Sequence, residues 1–361
     1  MSFQMASRIF PSMEPVAIKL LQTLDPETAH ALALLLLKFG VGYPRQITTY
    51  DKLQTRLAGI DLENPLGLAA GVDKNAFLLQ SIFKMGFGFV EVGGVTVKPQ
   101  KGNSKPRVFR VKGKDAIINH LGFNNIGMEK VNKRLKTFGK RNVVGLNIGV
   151  NRDSVDRVSD YNKVLEACGN NLHFATINVS SPNTKKLREL QQSAFLDDLL
   201  SSIKETNTNL NKKIKIFLKI SPDLEYSNLE KIVRLCDIHN ISGIIATNTT
   251  AEIRKTISSS ITEKGGLSGK PLFLKSTKIV ARIAVITEGK LPLIGVGGIA
   301  SGKDAFTKIS AGATAIQLYT ALTYQGPSLV FKILTELNDI LEKLGFNNIE
   351  EAVGISKEKF L

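Results

Sequence analysis

The residues best suited to chemistry stand at the end of an apolar run, in Thr176-Ile-Asn-Val-Ser-Ser-Pro-Asn-Thr184. Period-2 alternation places Asn178 and Ser180 on one side of the predicted strand, and Pro182 is expected to stop the strand just after Ser181. Alone, such a peptide is most often an ordinary strand followed by a polar turn. Similar polar strand ends recur along this chain, however, and a parallel barrel has its catalytic residues at the C-terminal ends of its strands.

Short apolar runs alternate with longer amphipathic segments after Tyr43-Pro44. Eight runs predict an α/β fold, a (β/α)8 TIM barrel, because that fold needs eight strands. The predicted strands are Leu66–Ala70, Phe89–Gly93, Val143–Ile148, Phe174–Ser180, Ile216–Ser221, Gly243–Asn248, Leu293–Gly297 and Ala315–Tyr319. Predicted helices between them include Ala194–Asn207, Leu229–His239, Lys275–Glu288 and Ser301–Ala311. A doubly wound sheet is the alternative, but no early G-x-G-x-x-G turn supports it.

An N-terminal helical hairpin extension is expected before the barrel. Residues from about Pro11 to Phe39 carry apolar side chains at helical spacing, and Asp25-Pro26 predicts the N-cap and first position of a second helix. That helix, Glu27–Lys38, is apolar almost all round, so it either packs on the main body or offers an apolar face to a partner or a membrane. We expect the hairpin within residues 1–44 and the catalytic barrel within residues 45–361.

The predicted strand ends share a composition. They include Gly71-Val-Asp-Lys74, Asn147, Lys219 and Thr247-Asn-Thr-Thr250. Amides and hydroxyls with two lysines and few carboxylates suit a planar, anionic ligand better than a metal. Lys219 lies in a buried strand, which is costly unless the ammonium meets an anion or its head reaches the rim. Glycines in residues 265–269 and 295–298, near Tyr319 and Thr320, suit a phosphate.

Composition excludes several classes of protein. The 361 residues carry a net charge of +16, which favours anionic partners, but the lysines are dispersed and no nucleic-acid-binding motif occurs, so we expect no nucleic-acid partner. Cys168 and Cys236 are too few for a disulfide framework or a zinc site and indicate a reducing compartment. No apolar run reaches the roughly 18 residues that span a bilayer, and the first residues lack a signal-peptide pattern.

Ser181 lacks the sequence context of a nucleophilic serine. None of the four histidines stands in a triad pattern, and there is no G-x-S-x-G elbow. A serine can instead act as a general base when a carbonyl makes the proton acidic and hydride leaves to an oxidant. The glycine loops alone leave open the hypothesis that the barrel is a phosphosugar isomerase.

With these residues in hand, the chain resembles the quinone-dependent (class 2) dihydroorotate dehydrogenases over nearly its whole length. The matching motifs are Asp25-Pro-Glu-Thr-Ala-His30, Ala69-Ala-Gly-Val-Asp-Lys74, Lys98-Pro-Gln-Lys-Gly-Asn103, Pro106-Arg-Val-Phe-Arg110, Asn119-His-Leu-Gly-Phe-Asn-Asn125, Asn178-Val-Ser-Ser-Pro-Asn-Thr184, Ala246-Thr-Asn-Thr-Thr250 and Gly265-Gly-Leu-Ser-Gly-Lys-Pro271. The resemblance implies tightly held, non-covalent FMN and oxidation of (S)-dihydroorotate to orotate in pyrimidine synthesis. Class 1 enzymes have cysteine where Ser181 stands, which disfavours a soluble dihydroorotate or dihydropyrimidine oxidoreductase that uses fumarate or a nicotinamide.

The same resemblance implies roles for single residues. Ser181 is expected to take the C5 proton of dihydroorotate while hydride passes from C6 to the flavin, and Lys219 to stabilise the negative charge that arrives with it. The residues expected to hold orotate are Lys74, Asn119, His120, Leu121, Gly122, Phe123, Asn178, Asn183, Asn248 and Thr249. Those expected at FMN are Ala70, Gly71, Val72, Asp73, Lys74, Asn147, Asn178, Lys219, Thr247, Gly269, Gly298, Tyr319 and Thr320, the last four toward its phosphate.

The resemblance also implies that the hairpin is a membrane-facing mouth for quinone. His30 and Arg110 match residues near that tunnel, although a mid-helix histidine is often only a packing or capping residue. We expect a monomer held peripherally on an anionic membrane surface, at the cytoplasmic face of a bacterial inner membrane. The sequence departs from the family at Gly94, where threonine or serine is usual, and at His120, where arginine is usual.

Overall fold

The computed structural model describes residues 14–42, 49–183, 187–191, 193–252 and 262–361. Its strands are β1 (Thr55–Leu57), β2 (Ile60–Leu62), β3 (Leu66–Leu68), β4 (Phe89–Val95), β5 (Val108–Val111), β6 (Ala116–Asn119), β7 (Val143–Ile148), β8 (Phe174–Asn178), β9 (Lys215–Ile220), β10 (Gly243–Ala246), β11 (Gly266–Gly269), β12 (Leu293–Val296) and β13 (Ala315–Leu318). Its helices are α1 (residues 14–23), α2 (Pro26–Lys38), α3 (Leu79–Phe83), α4 (Met128–Phe138), α5 (Arg157–Cys168), α6 (Ser193–Thr208), α7 (Tyr226–Ile238), α8 (Phe273–Ile286), α9 (Gly302–Ser310), α10 (Thr320–Gln325) and α11 (Ser328–Leu344).

Eight parallel strands close into a barrel in the order β3, β4, β7, β8, β9, β10, β12 and β13. Each contains or lies within one of the eight predicted runs, or overlaps it closely, and α6, α7, α8 and α9 correspond to the four predicted helices. The (β/α)8 prediction is therefore confirmed. Cys168 and Cys236 are buried free thiols on the helices that cover the barrel.

Several predicted strands extend one or two residues too far, and β8 shows the reason, because it ends at Asn178 and does not continue to Ser180. The Tyr161 hydroxyl donates to the main-chain carbonyl of Asn178 (2.7 Å), and the Ser180 N–H donates to Asn178 Oδ1 (3.2 Å). Side chains therefore bind the Asn178 carbonyl and the Ser180 N–H, which would have to pair with a neighbouring strand if β8 continued. The result is a short polar segment, not a strand, leading to Ser181.

An apolar plug fills the N-terminal end of the barrel. Phe89, Phe174 and Phe217 come from three strands and meet edge to face, with ring centroids 6.2 and 5.5 Å apart. A Cβ on Gly145 would lie 2.0 Å from the Phe174 ring, so only glycine lets that ring lie against the neighbouring strand. Leu57, from the hairpin of β1 and β2, belongs to the same cluster. This closed end leaves the C-terminal mouth as the open face.

Two smaller elements were not predicted. The β1–β2 hairpin supports the plug, and an antiparallel sheet of β5, β6 and β11 stands beside the mouth. The β6–β11 pair joins Asn119 to Gly266 and Ala116 to Gly269, so its strands are far apart in the chain and only four residues long. Short non-local pairings leave no periodic signal in a single sequence.

The helical hairpin is confirmed over the part of residues 1–44 that the structure describes. Asp25 accepts the N–H groups of Glu27 (3.1 Å) and Thr28 (3.0 Å) and so caps α2, whose first residue is Pro26. The expected boundary at residues 44 and 45 lies outside the described residues. Among the described residues, no helix is long and apolar enough to cross a membrane.

Candidate active site

A cavity of about 1330 Å³ lies at the C-terminal mouth of the barrel and continues beneath α1 and α2. Its wall contains every residue predicted for the site except His120. Strand-end residues form the polar floor, the small sheet forms one side, and apolar residues of the hairpin form the far end. The cavity thus joins three regions that the sequence places far apart.

Amides and hydroxyls gather around Ser181. This serine is 8% exposed, and its Oγ accepts the N–H of Asn183 (3.3 Å). Asn183 Nδ2 in turn donates to Asn119 Oδ1 (3.1 Å), which links the end of β8 to the end of β6. Asn183 Oδ1 and Thr249 Oγ1 are buried without a hydrogen-bond partner among the described residues. Buried polar atoms are costly to leave unpaired, so these two atoms suit a ligand with several polar groups.

Lys74 supplies a cation to the same region. The turn that carries it is held by Asp73, whose carboxylate accepts the N–H groups of Asn75 (3.1 Å) and Leu78 (2.7 Å). Lys74 Nζ donates to the carbonyl of Gly71 (2.7 Å). Burial lowers the pKa of Lys74 to about 8, although the negative charges of Glu27 and Asp73 oppose that shift. An anionic ligand would therefore stabilise the protonated lysine.

Lys219 lies deeper, near the barrel axis. Its side chain is 6% exposed and makes no hydrogen bond or ion pair with any residue that the structure describes. Neighbouring strands place Asn178 and Ile245 beside it in register. A buried ammonium without an anion is unfavourable, so its position indicates a bound group that accepts negative charge.

Glycines shape another part of the cavity wall. Gly269 has φ +96° and Gly298 has φ +76°, and a Cβ on Gly298 would lie 2.5 Å from Phe273 Cβ. Thr320 Oγ1 donates to Ser268 Oγ (2.9 Å) at the end of β11. Backbone N–H groups in such glycine segments can approach a phosphate closely.

His30 connects the hairpin to the floor. Its Nε2 lies 3.0 Å from the carbonyl of Val72, which can only accept, so Nε2 carries the hydrogen. Burial lowers the pKa of His30 to about 3, and the charge of Lys74 acts in the same direction. Burial also raises the pKa of Tyr319, whose ring centroid is 6.3 Å from that of His30, to about 12. Both rings are therefore uncharged at neutral pH.

Arg110 caps the first helix of the hairpin. Its guanidinium donates to the carbonyls of Leu24 (2.7 Å), Gln22 (3.1 Å) and Leu21 (3.3 Å), the last carbonyls of α1 and the residue that follows it. A cation at a helix C-terminus is favourable, because it meets unpaired carbonyls and the negative end of the dipole. The positive charge of Arg110, at the hairpin end of the cavity, is thus bound by main-chain groups.

The chain is similar to known proteins over nearly its whole length. The family model for dihydroorotate dehydrogenase matches residues 52–341. A relative from Cereibacter sphaeroides named dihydroorotate dehydrogenase (quinone) is 46% identical over 351 residues, covering 97% of this chain and 99% of that protein. The chain belongs to the dihydroorotate dehydrogenase family, in its quinone-dependent class. Another relative of the same name, from Rhodopseudomonas palustris, is 45% identical over 95% of this chain and 96% of its own.

Solved dihydroorotate dehydrogenase structures confirm the fold. The ligand-free enzyme from Eimeria tenella is 37% identical, with a TM-score of 0.88, and the match covers 92% of this chain and 99% of that one. The Eimeria tenella enzyme in complex with ferulenol gives the same TM-score at 36% identity, covering 92% and 96% of the two chains. Enzymes of this dehydrogenase family depend on a flavin.

The two departures from the dihydroorotate dehydrogenase pattern have different structural settings. A Cβ on Gly94 would lie 2.6 Å from the Phe123 ring, so this ring occupies the space that a larger residue at 94 would need. His120 lies outside the cavity wall, because its ring stacks on Phe109 at 6.0 Å. The main-chain carbonyl of His120 accepts from Asn103 Nδ2 (2.6 Å), and the expected place of His120 at the substrate stays a prediction.

Sequence reasoning missed the groups that hold this dehydrogenase site together. Arg107 forms a two-pronged ion pair with Glu27 (2.9 and 3.0 Å) that joins the small sheet to α2. Arg188 links the carbonyls of Ser180 (3.2 Å) and Thr249 (3.0 Å), two segments of the mouth. Both arginines lie within or beside quoted motifs, but nothing in the sequence indicates their partners.

Proposed function

We propose that this chain oxidises (S)-dihydroorotate to orotate with FMN as the hydride acceptor, and that a membrane quinone takes the electrons. The names of the relatives support the overall reaction. The observation that carries the proposal is the single cavity that joins Ser181 and Lys74 to the apolar hairpin. A polar end for an anionic substrate and an apolar end for quinone meet in one space.

The residues present fit FMN. Lys219 has no hydrogen-bond or ion-pair partner in the described part of the chain and suits the electron-rich end of a flavin ring, and the amides of Asn147 and Asn178 provide donors and acceptors beside it. Gly269, Gly298 and Thr320 form a wall suited to the phosphate. When bound, FMN supplies a two-electron acceptor that exchanges hydride with substrate and electrons with quinone. Among the described residues there is no cluster of three or more potential metal ligands.

Ser181 is proposed to take the proton from C5 of dihydroorotate. Its hydroxyl is nearly buried and accepts from the Asn183 N–H, which fixes the direction in which its lone pairs point. Asn119, Asn183, Asn248 and Thr249 are proposed to hold the pyrimidine ring through their amide and hydroxyl groups. Lys74 is proposed to bind the substrate carboxylate, since its lowered pKa lets an anion stabilise the charged form.

The hairpin is proposed to rest on an anionic membrane surface and to admit quinone. Leu20 and Val16 of α1 are 64% and 54% exposed, and Phe39, at the end of α2, is 63% exposed. Exposed apolar side chains grouped on a helical pair are typical of interfacial binding. The net charge of +16 would add attraction to anionic lipid. Sedimentation with vesicles should show binding that grows with anionic lipid and weakens with salt, and indifference to both would contradict the electrostatic part.

The decisive experiment follows the flavin spectrum of the purified chain. Anaerobic dihydroorotate should bleach an FMN spectrum, and a short-chain quinone should restore it, whereas fumarate and NAD should not. Recovery only with fumarate or NAD would indicate the soluble class and leave the hairpin as a packing element. A protein that stays colourless after FMN addition would contradict the flavin assignment and favour a phosphate-binding barrel isomerase.

A further inference from the structure

A buried lysine lies behind Gly297 and Gly298, which form the glycine wall of the cavity. Lys308, on α9, is fully buried and does not line the cavity itself. Its stem lies against β12, where a Cβ on Gly295 would be 2.4 Å from Lys308 Cγ. A lysine is almost never fully buried without a charged partner. The reaction proposed above gives Lys308 no role, so its burial requires a separate cause.

Three hydrogen-bond acceptors surround Lys308 Nζ. They are Ser276 Oγ (2.7 Å), Thr277 Oγ1 (2.7 Å) and the main-chain carbonyl of Phe273 (3.3 Å), all in the first turn of α8. An ammonium has three N–H groups and a neutral amine has two, so this set of acceptors matches the charged form. Burial lowers the pKa of Lys308 well below its ordinary value, and the charge of Asp304 opposes that shift. A further anion nearby would favour the charged form.

No carboxylate among the described residues lies within ion-pair distance of Lys308 Nζ. Asp304, whose charge acts on it from the same helix, accepts the N–H of Ala300 (3.0 Å). The Phe273 ring, with its centroid 4.6 Å from Nζ, offsets part of the cost of burial. Hydroxyls, a carbonyl and a ring face do not neutralise an ammonium, so its burial is favourable only beside an anion.

The glycine wall stands directly against this cluster. Ser276 Oγ donates to the carbonyl of Gly297 (3.2 Å) and accepts from Lys308 Nζ, so one hydroxyl oxygen separates the ammonium from the wall. The peptide bond between Gly297 and Gly298 is trans, which directs the Gly298 N–H away from that carbonyl and from Ser276. The wall thus carries a positive charge behind it and a main-chain donor on the side that faces the cavity.

We propose that the Lys308 ammonium is the counter-charge for the phosphate of FMN, acting across the glycine wall without contacting the ligand. This inference rests on the proposed FMN site, in which Gly298 faces the phosphate. A fixed charge behind the wall attracts the anion, while main-chain N–H groups make the hydrogen bonds. Riboflavin has the same ring system without the phosphate, so it should gain nothing from Lys308.

Two uncharged variants remove the ammonium in different ways. Lys308→Met keeps a stem of similar length against Gly295, and Lys308→Gln keeps a polar head. In Lys308→Met the hydroxyls of Ser276 and Thr277 can still donate to the Phe273 carbonyl (3.0 and 2.7 Å), so no buried donor is left unpaired. The apoprotein should therefore keep its melting temperature, which serves as the control for folding.

The readout is a pair of dissociation constants for each apoprotein, one for FMN and one for riboflavin, measured by fluorescence titration. Both uncharged variants should bind FMN roughly tenfold more weakly than the parent, as loss of one charge near a phosphate predicts, and riboflavin within about threefold of it. The matched control is Ser276→Ala, which keeps the ammonium and removes the hydroxyl behind Gly297. It should bind both ligands within about threefold of the parent.

Several results would overturn the proposal. Equal losses for FMN and riboflavin, a loss confined to Lys308→Met, or failure of both uncharged apoproteins to fold would assign Lys308 to packing. A loss in Ser276→Ala as large as that in Lys308→Met would assign the effect to the shape of the wall. An unchanged FMN constant in both uncharged variants would show that the charge does not act on the phosphate.

The parent protein distinguishes this inference from the proposed function. A parent apoprotein that binds neither FMN nor riboflavin contradicts the flavin assignment itself. A parent that binds FMN, with uncharged variants that bind it equally well, contradicts only the role of Lys308.

Discussion

Replacing Arg107 with methionine should release the helical hairpin from the barrel without unfolding the barrel. Arg107 is 7% exposed at its side chain and binds both oxygens of Glu27, which is 18% exposed. Its other nitrogen donates to the carbonyls of Lys101 (2.6 Å) and Asn103 (2.7 Å). The substitution therefore leaves one largely buried carboxylate and two carbonyls without their donor.

The size of the effect follows from this geometry. Removing one member of a buried ion pair costs about 3–5 kcal/mol, because the remaining charge stays desolvated. Glu27 keeps some solvent and has Lys105 Nζ at 3.8 Å, so the cost here is about 2–3 kcal/mol. If this cost is confined to undocking, the population of the open hairpin rises roughly 30- to 160-fold.

Limited proteolysis measures that population when opening is fast relative to cleavage. Cleavage in the hairpin should accelerate by this factor in Arg107→Met, and quinone reduction should fall while flavin reduction by dihydroorotate is largely retained. Lys105→Met is the matched control, because Lys105 faces the same carboxylate but is 68% exposed, so acceleration should stay below about fivefold. Equal cleavage rates in the two variants, or equal loss of both half-reactions in Arg107→Met, would refute the reasoning.

Three further predictions concern the site itself. Ser181→Ala should slow flavin reduction by roughly 10²- to 10⁴-fold in stopped flow, as loss of a general base does, while quinone re-oxidises the flavin at an unchanged rate. Lys219→Met should raise the melting temperature of the apoprotein, since the buried ammonium has no partner among the described residues, yet slow flavin reduction; an unaltered reduction rate would exclude its electrostatic role. Lys74 is charged below its pKa of about 8 and neutral above it, so kcat/KM for dihydroorotate should fall as pH rises through about 8, and Lys74→Arg should lack that inflection.

The barrel and most of the wall of its cavity could be predicted because both depend on local patterns. An apolar run such as Val143–Ile148 predicts a buried strand from its own residues, whatever its neighbours in the fold. The closure of parallel strands into a barrel then brings their C-terminal ends together. Asn147, Asn178 and Lys219 could therefore be assigned to one mouth before any contact was known. The contact of the His120 ring with Phe109 could not be predicted, because Phe109 lies on a strand pairing that no periodicity indicates.

The groups that hold the site together could not be predicted, because their partners are distant in sequence. Glu91 stands in Phe-Val-Glu-Val-Gly, where it resembles an interruption in a strand, and the Gln317 that shares its carboxylate lies on the last barrel strand. Arg107 and Glu27 belong to different structural layers. A polar residue in an apolar run thus indicates that a buried partner exists, but only the closed barrel identifies it.

The distribution of charge around the cavity separates the two halves of the proposed reaction. At the hairpin end, burial keeps His30 neutral, and Arg110 is bound to main-chain carbonyls. At the floor, Lys74 and Lys219 have no carboxylate within ion-pair distance among the described residues, so their charge is directed to ligands. The floor therefore stabilises an anion in the cavity electrostatically, and the hairpin end does so only a little. A neutral quinone can occupy the hairpin end without losing a favourable electrostatic interaction. The net charge of +16 attracts anions to the whole surface, whereas Lys74 and Lys219 attract a bound anion to the floor of the cavity.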